Sequence, residues 1–139
     1  MKYLIDTCVL SELVKHAPEP KVVAWVNAQP EDSLFVSAIT LAELLKGIAK
    51  LQDSQRKTAL THWVNQIQEE MADRILPFES STADYWAKMC ATAEKAGTPL
   101  SAFDSLIAGT AIEHGLIIVT RNTRDFESAP VMLTNPWVE

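Results

Sequence analysis

Nowhere does this chain of 139 residues carry a run of about 18 apolar side chains, so no segment reads as a membrane-spanning helix. Cysteine is scarce. Cys8 and Cys90 stand far apart without metal-ligand spacing, which argues against a disulfide scaffold or structural zinc and predicts two buried, reduced thiols. The four glycines form no phosphate-cradling loop, and the aromatic residues, 7% of the chain, group into no stacking platform for RNA bases. Positive charge is also short: 12 Lys and Arg against 18 Asp and Glu give a formal net charge of −6. Taken alone, that argues against a general polyanion binder and favours a basic partner or a metal ion. Repeats, low-complexity segments and linkers are missing too, so a single domain over residues 1–139 is expected. Asp6 interrupts what would be the apolar region of a signal peptide, and no small-residue cleavage site follows, so the expected location is the cytoplasm.

What the chain does have is a globular composition, 47% apolar and 22% charged, and clear periodicities. Lys2 to Ile5 reads as a strand that stops at Asp6-Thr7, and Val9, Leu10, Leu13 and Val14 follow at helical spacing. A break at Ala17-Pro18-Glu19-Pro20 precedes a second helix carrying Val22, Val23, Trp25 and Val26, which ends near Pro30. Leu34-Phe35-Val36 suits a buried parallel strand. Leu41, Leu44, Leu45, Ile48 and Leu51 predict a helix over 40–51, and residues 54–72 continue as another. Arg74 to Phe78 reads as a third strand. A helix capped within Ser80-Ser81-Thr82 runs to Ala96, and another spans Ser101 to His114. Leu116 to Val119 is the clearest strand, and Val131 to Leu133 a final one. Strands separated by helices predict an α/β fold, a parallel sheet covered by helices on both faces, with ligands beyond the carboxyl ends of the strands.

Acids fall at those ends. Asp6 directly follows the first strand, where it can cap the next helix or bind a cation. Glu43 lies among Leu41, Ala42, Leu44 and Leu45, and Thr40-Leu-Ala-Glu43 has the spacing of a capping box. Asp104 stands in a similar first turn, Ser101-Ala-Phe-Asp104, and Ala108, Gly109 and Ala111 beyond it predict close helix packing. After the best strand, Thr120-Arg121-Asn122-Thr123-Arg124-Asp125 reads as a polar turn and a candidate further wall of the same cleft. Carboxylates brought together repel one another unless a cation intervenes, and oxygen donors without His or Cys suit Mg²⁺ or Mn²⁺. Such a site favours hydrolytic phosphoryl chemistry.

Whole-length motifs then carry a resemblance: Leu4-Ile-Asp6-Thr-Cys-Val-Leu-Ser-Glu-Leu13, Ser37-Ala-Ile-Thr-Leu-Ala-Glu43-Leu-Leu-Lys-Gly47, Pro99-Leu-Ser-Ala-Phe-Asp104-Ser-Leu-Ile-Ala-Gly-Thr-Ala111, Glu113 to Phe126, and Asn135-Pro-Trp137. In these the chain resembles PIN-domain proteins, more narrowly VapC-type toxin ribonucleases of the FitB-like branch. The resemblance implies a three-layer α/β/α sandwich around a mainly parallel sheet of four to five strands. It implies RNA cleavage by metal-activated water with Mg²⁺ or Mn²⁺. Asp6 and Asp104 would be the main metal anchors, and Glu43 would hold or help deprotonate a water. Many such proteins have an acid where this chain has Asn122, which can still ligate through its carbonyl, and Asp125 is the candidate to replace that acid. The family often has Asn where this chain has Cys8. The implied partners are RNA, a VapB-like antitoxin that places a basic segment in the cleft, a second copy of the chain, and promoter DNA reached through the antitoxin in a larger assembly. Lys46, Lys50, Arg121 and Arg124 are the candidate RNA contacts, and Trp63 a candidate for burial against a partner, although a lone Trp also suits a core. A competing reading keeps the acids only as a dock for a basic peptide. A phosphoaspartyl enzyme fits less well, because Cys8 stands where a second Asp is wanted.

Overall fold

The computed structural model describes residues 1–138. Its strands are β1 (Tyr3–Ile5), β2 (Leu34–Ser37), β3 (Ile75–Leu76), β4 (Ile117–Val119) and β5 (Leu133–Thr134). They form one sheet in the order β3-β2-β1-β4-β5, and every pairing is parallel. The helices are α1 (Thr7–Leu13), α2 (Pro20–Ala28), α3 (Ala38–Ala49), α4 (Gln55–Glu70), α5 (Ser80–Lys95) and α6 (Ala102–His114). Short 3₁₀ turns lie at Glu31–Ser33, Ala72–Arg74 and Thr123–Phe126.

Strand alternation divides the core into the two faces expected of an α/β/α sandwich. Leu4 and Ile118 turn to one face and meet Met89 of α5 with Ile107, Ala108 and Ala111 of α6. Ile5 and Val119 turn to the other and meet Val9, Leu10, Val22, Leu44 and Val64 of α1 to α4. The small residues of α6 explain how tightly it packs on α5: a Cβ placed on Gly109 would lie 3.0 Å from the Cβ of Trp86. Gly115 ends α6 with φ of +64°, a left-handed conformation that a side chain disfavours.

Three local expectations are corrected. α3 starts at Ala38, directly from β2, with Ser37 as its cap accepting from the Ile39 N–H at 3.0 Å. The Thr40–Glu43 capping box therefore does not form, because Thr40 already lies inside the first turn. α5 is capped by Glu79, with Thr82 completing a reciprocal box, and not from within the Ser80-Ser81-Thr82 cluster. The last strand is Leu133–Thr134, a shift set by its pairing of Ile118 with Leu133 and Val119 with Thr134. Both cysteines are free thiols, partly buried. No helix among the described residues is long and apolar enough to cross a membrane.

Candidate functional site

Strand order reverses at β1: the chain lays β2 and β3 on one side of it and β4 and β5 on the other. Connections diverge at such a point and leave a crevice beyond the carboxyl ends of the strands. Asp6 stands there, one residue past Ile5, and its own N–H donates to the Val119 carbonyl at 3.0 Å, so the backbone fixes its position. It also caps α1: one carboxylate oxygen accepts from the Thr7 N–H at 2.9 Å. The other accepts from the Thr120 hydroxyl at 2.8 Å, and the Cys8 thiol lies 3.5 Å away. Asp6, although buried, thus caps α1 and stands at the carboxyl end of β1 with one and the same carboxylate.

Glu43 comes from the second turn of α3 and Asp104 from the first turn of α6. The Thr7 hydroxyl donates to Glu43 at 2.9 Å, and the Ser101 hydroxyl donates to Asp104 at 2.7 Å. Both carboxyls are nevertheless pushed above the usual range. For Glu43 the causes are burial and then the charges of Asp6 and Asp104, while Thr7 and Lys46 pull the other way. For Asp104 they are burial and then the charges of Asp125 and Asp6, opposed by Ser101. Asp6, Glu43, Asp104 and Asp125 therefore share one field, and each added negative charge makes the next harder to hold.

Among the described residues no three His, Cys, Asp or Glu side chains converge tightly enough to cage a metal as they stand. A hard cation keeps several of its own waters and takes only one or two carboxylates directly, so such a cage is not required of its site. The donor set is all oxygen. Cys8 does not change that character, because burial, followed by the Asp6 charge, pushes its thiol up and keeps it protonated. In this state the thiol lies 3.5 Å from the Thr120 hydroxyl and accepts from the Arg121 N–H at 3.5 Å.

Two residues to which the sequence reading gave no individual role complete the crevice. Thr120 is wholly buried and also accepts from the Asn122 N–H at 3.0 Å. Its signal was register: it follows Val119 just as Asp6 follows Ile5, on the neighbouring strand. Thr7 links α1 to α3 through Glu43, a pairing without local signature. Asn122 and Asp125 lie on the exposed outer wall, where the Asp125 N–H donates to the Asn122 carbonyl.

The basic candidates divide. Lys46 and Lys50 border a hollow beside Glu43. Arg124 borders another with Asp104 and Asp125. The Arg121 guanidinium instead lies over the Trp137 ring at 5.4 Å and is close enough to Glu12 to help lower its pKa. Trp63 is half-buried against the α1–α4 core.

Comparison with known proteins agrees with this fold. The profile of the PIN domain matches residues 3–131. The VapC ribonuclease Y4jK of Sinorhizobium fredii is 37% identical over 135 residues, which cover 96% of each chain. Toxin FitB of Neisseria gonorrhoeae is 38% identical over 135 residues, 96% of this chain and 97% of that one. The solved structure of FitAB bound to an IR36 DNA fragment superimposes with a TM-score of 0.92 at 37% identity, over 97% of this chain and 95% of that one.

Proposed function

The chain belongs to the PIN-domain family, and on that premise we propose that it is the toxin of a type II toxin–antitoxin pair, an endoribonuclease that hydrolyses RNA phosphodiesters. The observation that carries this reading is the shared field of Asp6, Glu43 and Asp104 at the β1 switch point, in which Glu43 and Asp104 are raised by burial and by neighbouring acids. Mg²⁺ or Mn²⁺ is the ion we assign to it, since both take carboxylate oxygens. When bound, such a cation neutralises phosphate charge and activates water.

The protein's own part is positioning and proton transfer. Asp6 is fixed by Thr120 and the Thr7 N–H, so its carboxylate is aimed before a cation arrives. Asp104 is held by Ser101 at the amino end of α6, lies within the field of Asp125 and Asp6, and is assigned as the second anchor. Glu43, with its raised pKa, is the group suited to take a proton from the attacking water. Asp125 acts as the outer carboxylate and Asn122 as an uncharged oxygen donor beside it. Lys46, Lys50 and Arg124 are assigned to RNA phosphates, and Arg121, held over Trp137, to a more distant one.

In the absence of a cation the same field attracts a basic peptide. We assign that role to a segment of a VapB-like antitoxin, with the toxin as a homodimer in the cytoplasm and promoter DNA contacted through the antitoxin. The test is cleavage of RNA by the chain freed of its partner, as wild type and as Asp6→Asn, in Mg²⁺, in Mn²⁺ and in EDTA. Cleavage by the wild type in a cation alone is expected, and equal activity in all arms overturns the reading.

A further inference from the structure

Folding creates beside Glu43 a feature that the chain order conceals. A hollow of about 410 Å³ is lined by Ala42, Glu43, Lys46, Gly47, Lys50 and Phe103. Phe103 is 48% exposed although it immediately precedes Asp104 in the first turn of α6. An open aromatic face next to a carboxylate cluster forfeits burial without contributing to the core. Across the hollow, Lys46 and Lys50 lie one helical turn apart, about 5–6 Å between their Cβ atoms. Neither enters an ion pair among the described residues. Gly47 leaves the floor open, since a Cβ there would meet nothing within 4 Å.

An aromatic face opposite two free ammonium groups is the combination that binds single-stranded nucleic acid: the ring stacks on a base and the cations follow its phosphates. We propose that this hollow is a nucleobase subsite, in which Phe103 stacks on an unpaired RNA base next to the phosphate presented to Asp6, Glu43 and Asp104, while Lys46 and Lys50 hold the flanking phosphates. The proposal rests on the ribonuclease reading. Phe103 is suited to the task because α6 beyond its first turn is buried at Ser105 and from Ile107 through Ala111, so the ring stands at the open end of a helix locked into the core. Stacking on a ring tolerates any base, so this subsite selects for unpaired RNA and not for a sequence.

The test separates binding from cleavage. Fluorescence anisotropy measures the affinity of a short single-stranded RNA, and of the same RNA with abasic positions on either side of the cleaved phosphate, for wild type, Phe103→Leu and Phe103→Trp. Phe103→Leu should weaken binding of the intact RNA by about tenfold or more, which is the scale of one lost base stack. It should barely change binding of the abasic RNA, and Phe103→Trp should restore affinity. In cleavage assays the same variant should raise KM and leave kcat near wild type. Equal affinity of Phe103→Leu and wild type, or an equal loss on abasic RNA, overturns the proposal. So does a fall in molecular mass by light scattering in Phe103→Leu, which would assign this face to a second copy of the chain. Wild type that binds RNA through Phe103 but never cleaves it would overturn the ribonuclease reading and leave this one standing. Cleavage with unchanged binding in Phe103→Leu does the reverse.

Discussion

Two kinds of sequestered carboxylate occur in this molecule. Glu12, at the end of α1, accepts from Lys15 at 2.8 Å and from the Glu19 N–H at 2.9 Å, which ties α1 to the start of α2. Glu113, near the end of α6, accepts from the Ser81 and Thr82 hydroxyls and lies 3.3 Å from His114, which ties α6 to the start of α5. Both are held below the usual carboxylate range, chiefly by those hydrogen bonds. Glu43 and Asp104 have one hydroxyl donor each and look out on other acids, and both are pushed up. An acid ringed by donors is finished as a structural part, whereas acids that face one another hold a debt of charge that only a ligand settles.

The strongest way to break this comparison is Asp104→Asn. RNA cleavage should fall by on the order of 10³-fold, because a charge that the transition state depends on is gone. Thermal unfolding in EDTA should show stability unchanged or raised, since a repulsive partner of Glu43 is lost; a clear loss of stability would move Asp104 into the structural group. Next in size is the response to cation. At a concentration about 100 times its dissociation constant, Mg²⁺ or Mn²⁺ should stabilise wild type by about 2.7 kcal/mol. Calorimetry should find much less for Asp104→Asn and the full effect for Glu113→Gln.

Thr120→Val sharpens the boundary between the two groups. It removes the donor at 2.8 Å from Asp6 while keeping the shape of the side chain, and it should cost roughly 10- to 100-fold in activity or cation affinity. Glu113→Ala should leave the kinetics alone and lower stability by about 1 kcal/mol in urea titrations, through the orphaned hydroxyl of the buried Thr82. The smallest effect is the slope of stability with pH. Glu12 and Glu113, lowered in the fold, add stability that is present above their unfolded pKa of about 4.3 and lost as pH falls through the folded values. Glu43 and Asp104 run the opposite way. In EDTA their contribution is lost as pH rises through their raised values, so Glu43→Gln should make stability less dependent on pH in that range.

Much of this was legible in the sequence, for identifiable reasons. α3 announced itself through Leu41, Leu44 and Ile48, and an acid at Glu43 within so apolar a helix required an explanation. Asp6 stood out because it ends a strand of Tyr, Leu and Ile. The cap of α3 was misread because β2 passes into the helix with no loop, which moves the helix start from Thr40 back to Ser37. Thr120 passed for a turn residue because its partner Asp6 is 114 residues away. Phe103 looked like any apolar residue near a helix start, since the lysines across from it belong to α3. Local periodicity reveals elements and isolated acids, while neighbours joined through the sheet or between helices emerge only with the topology.

The Asp6–Thr120 hydrogen bond also bears on the order in which the protein is made. β1 leaves the ribosome before β4, so one of its edges stays unpaired until β4 has been synthesised, and Asp6 waits for the same segment to receive its second donor. A nascent chain that holds Asp6 and Glu43 but lacks α6 and β4 has neither Asp104 nor Thr120. Asp104 and Thr120 therefore join Asp6 and Glu43 only after α6 and β4 have been made, so the acidic crevice is a product of the whole sheet and not of its first strands.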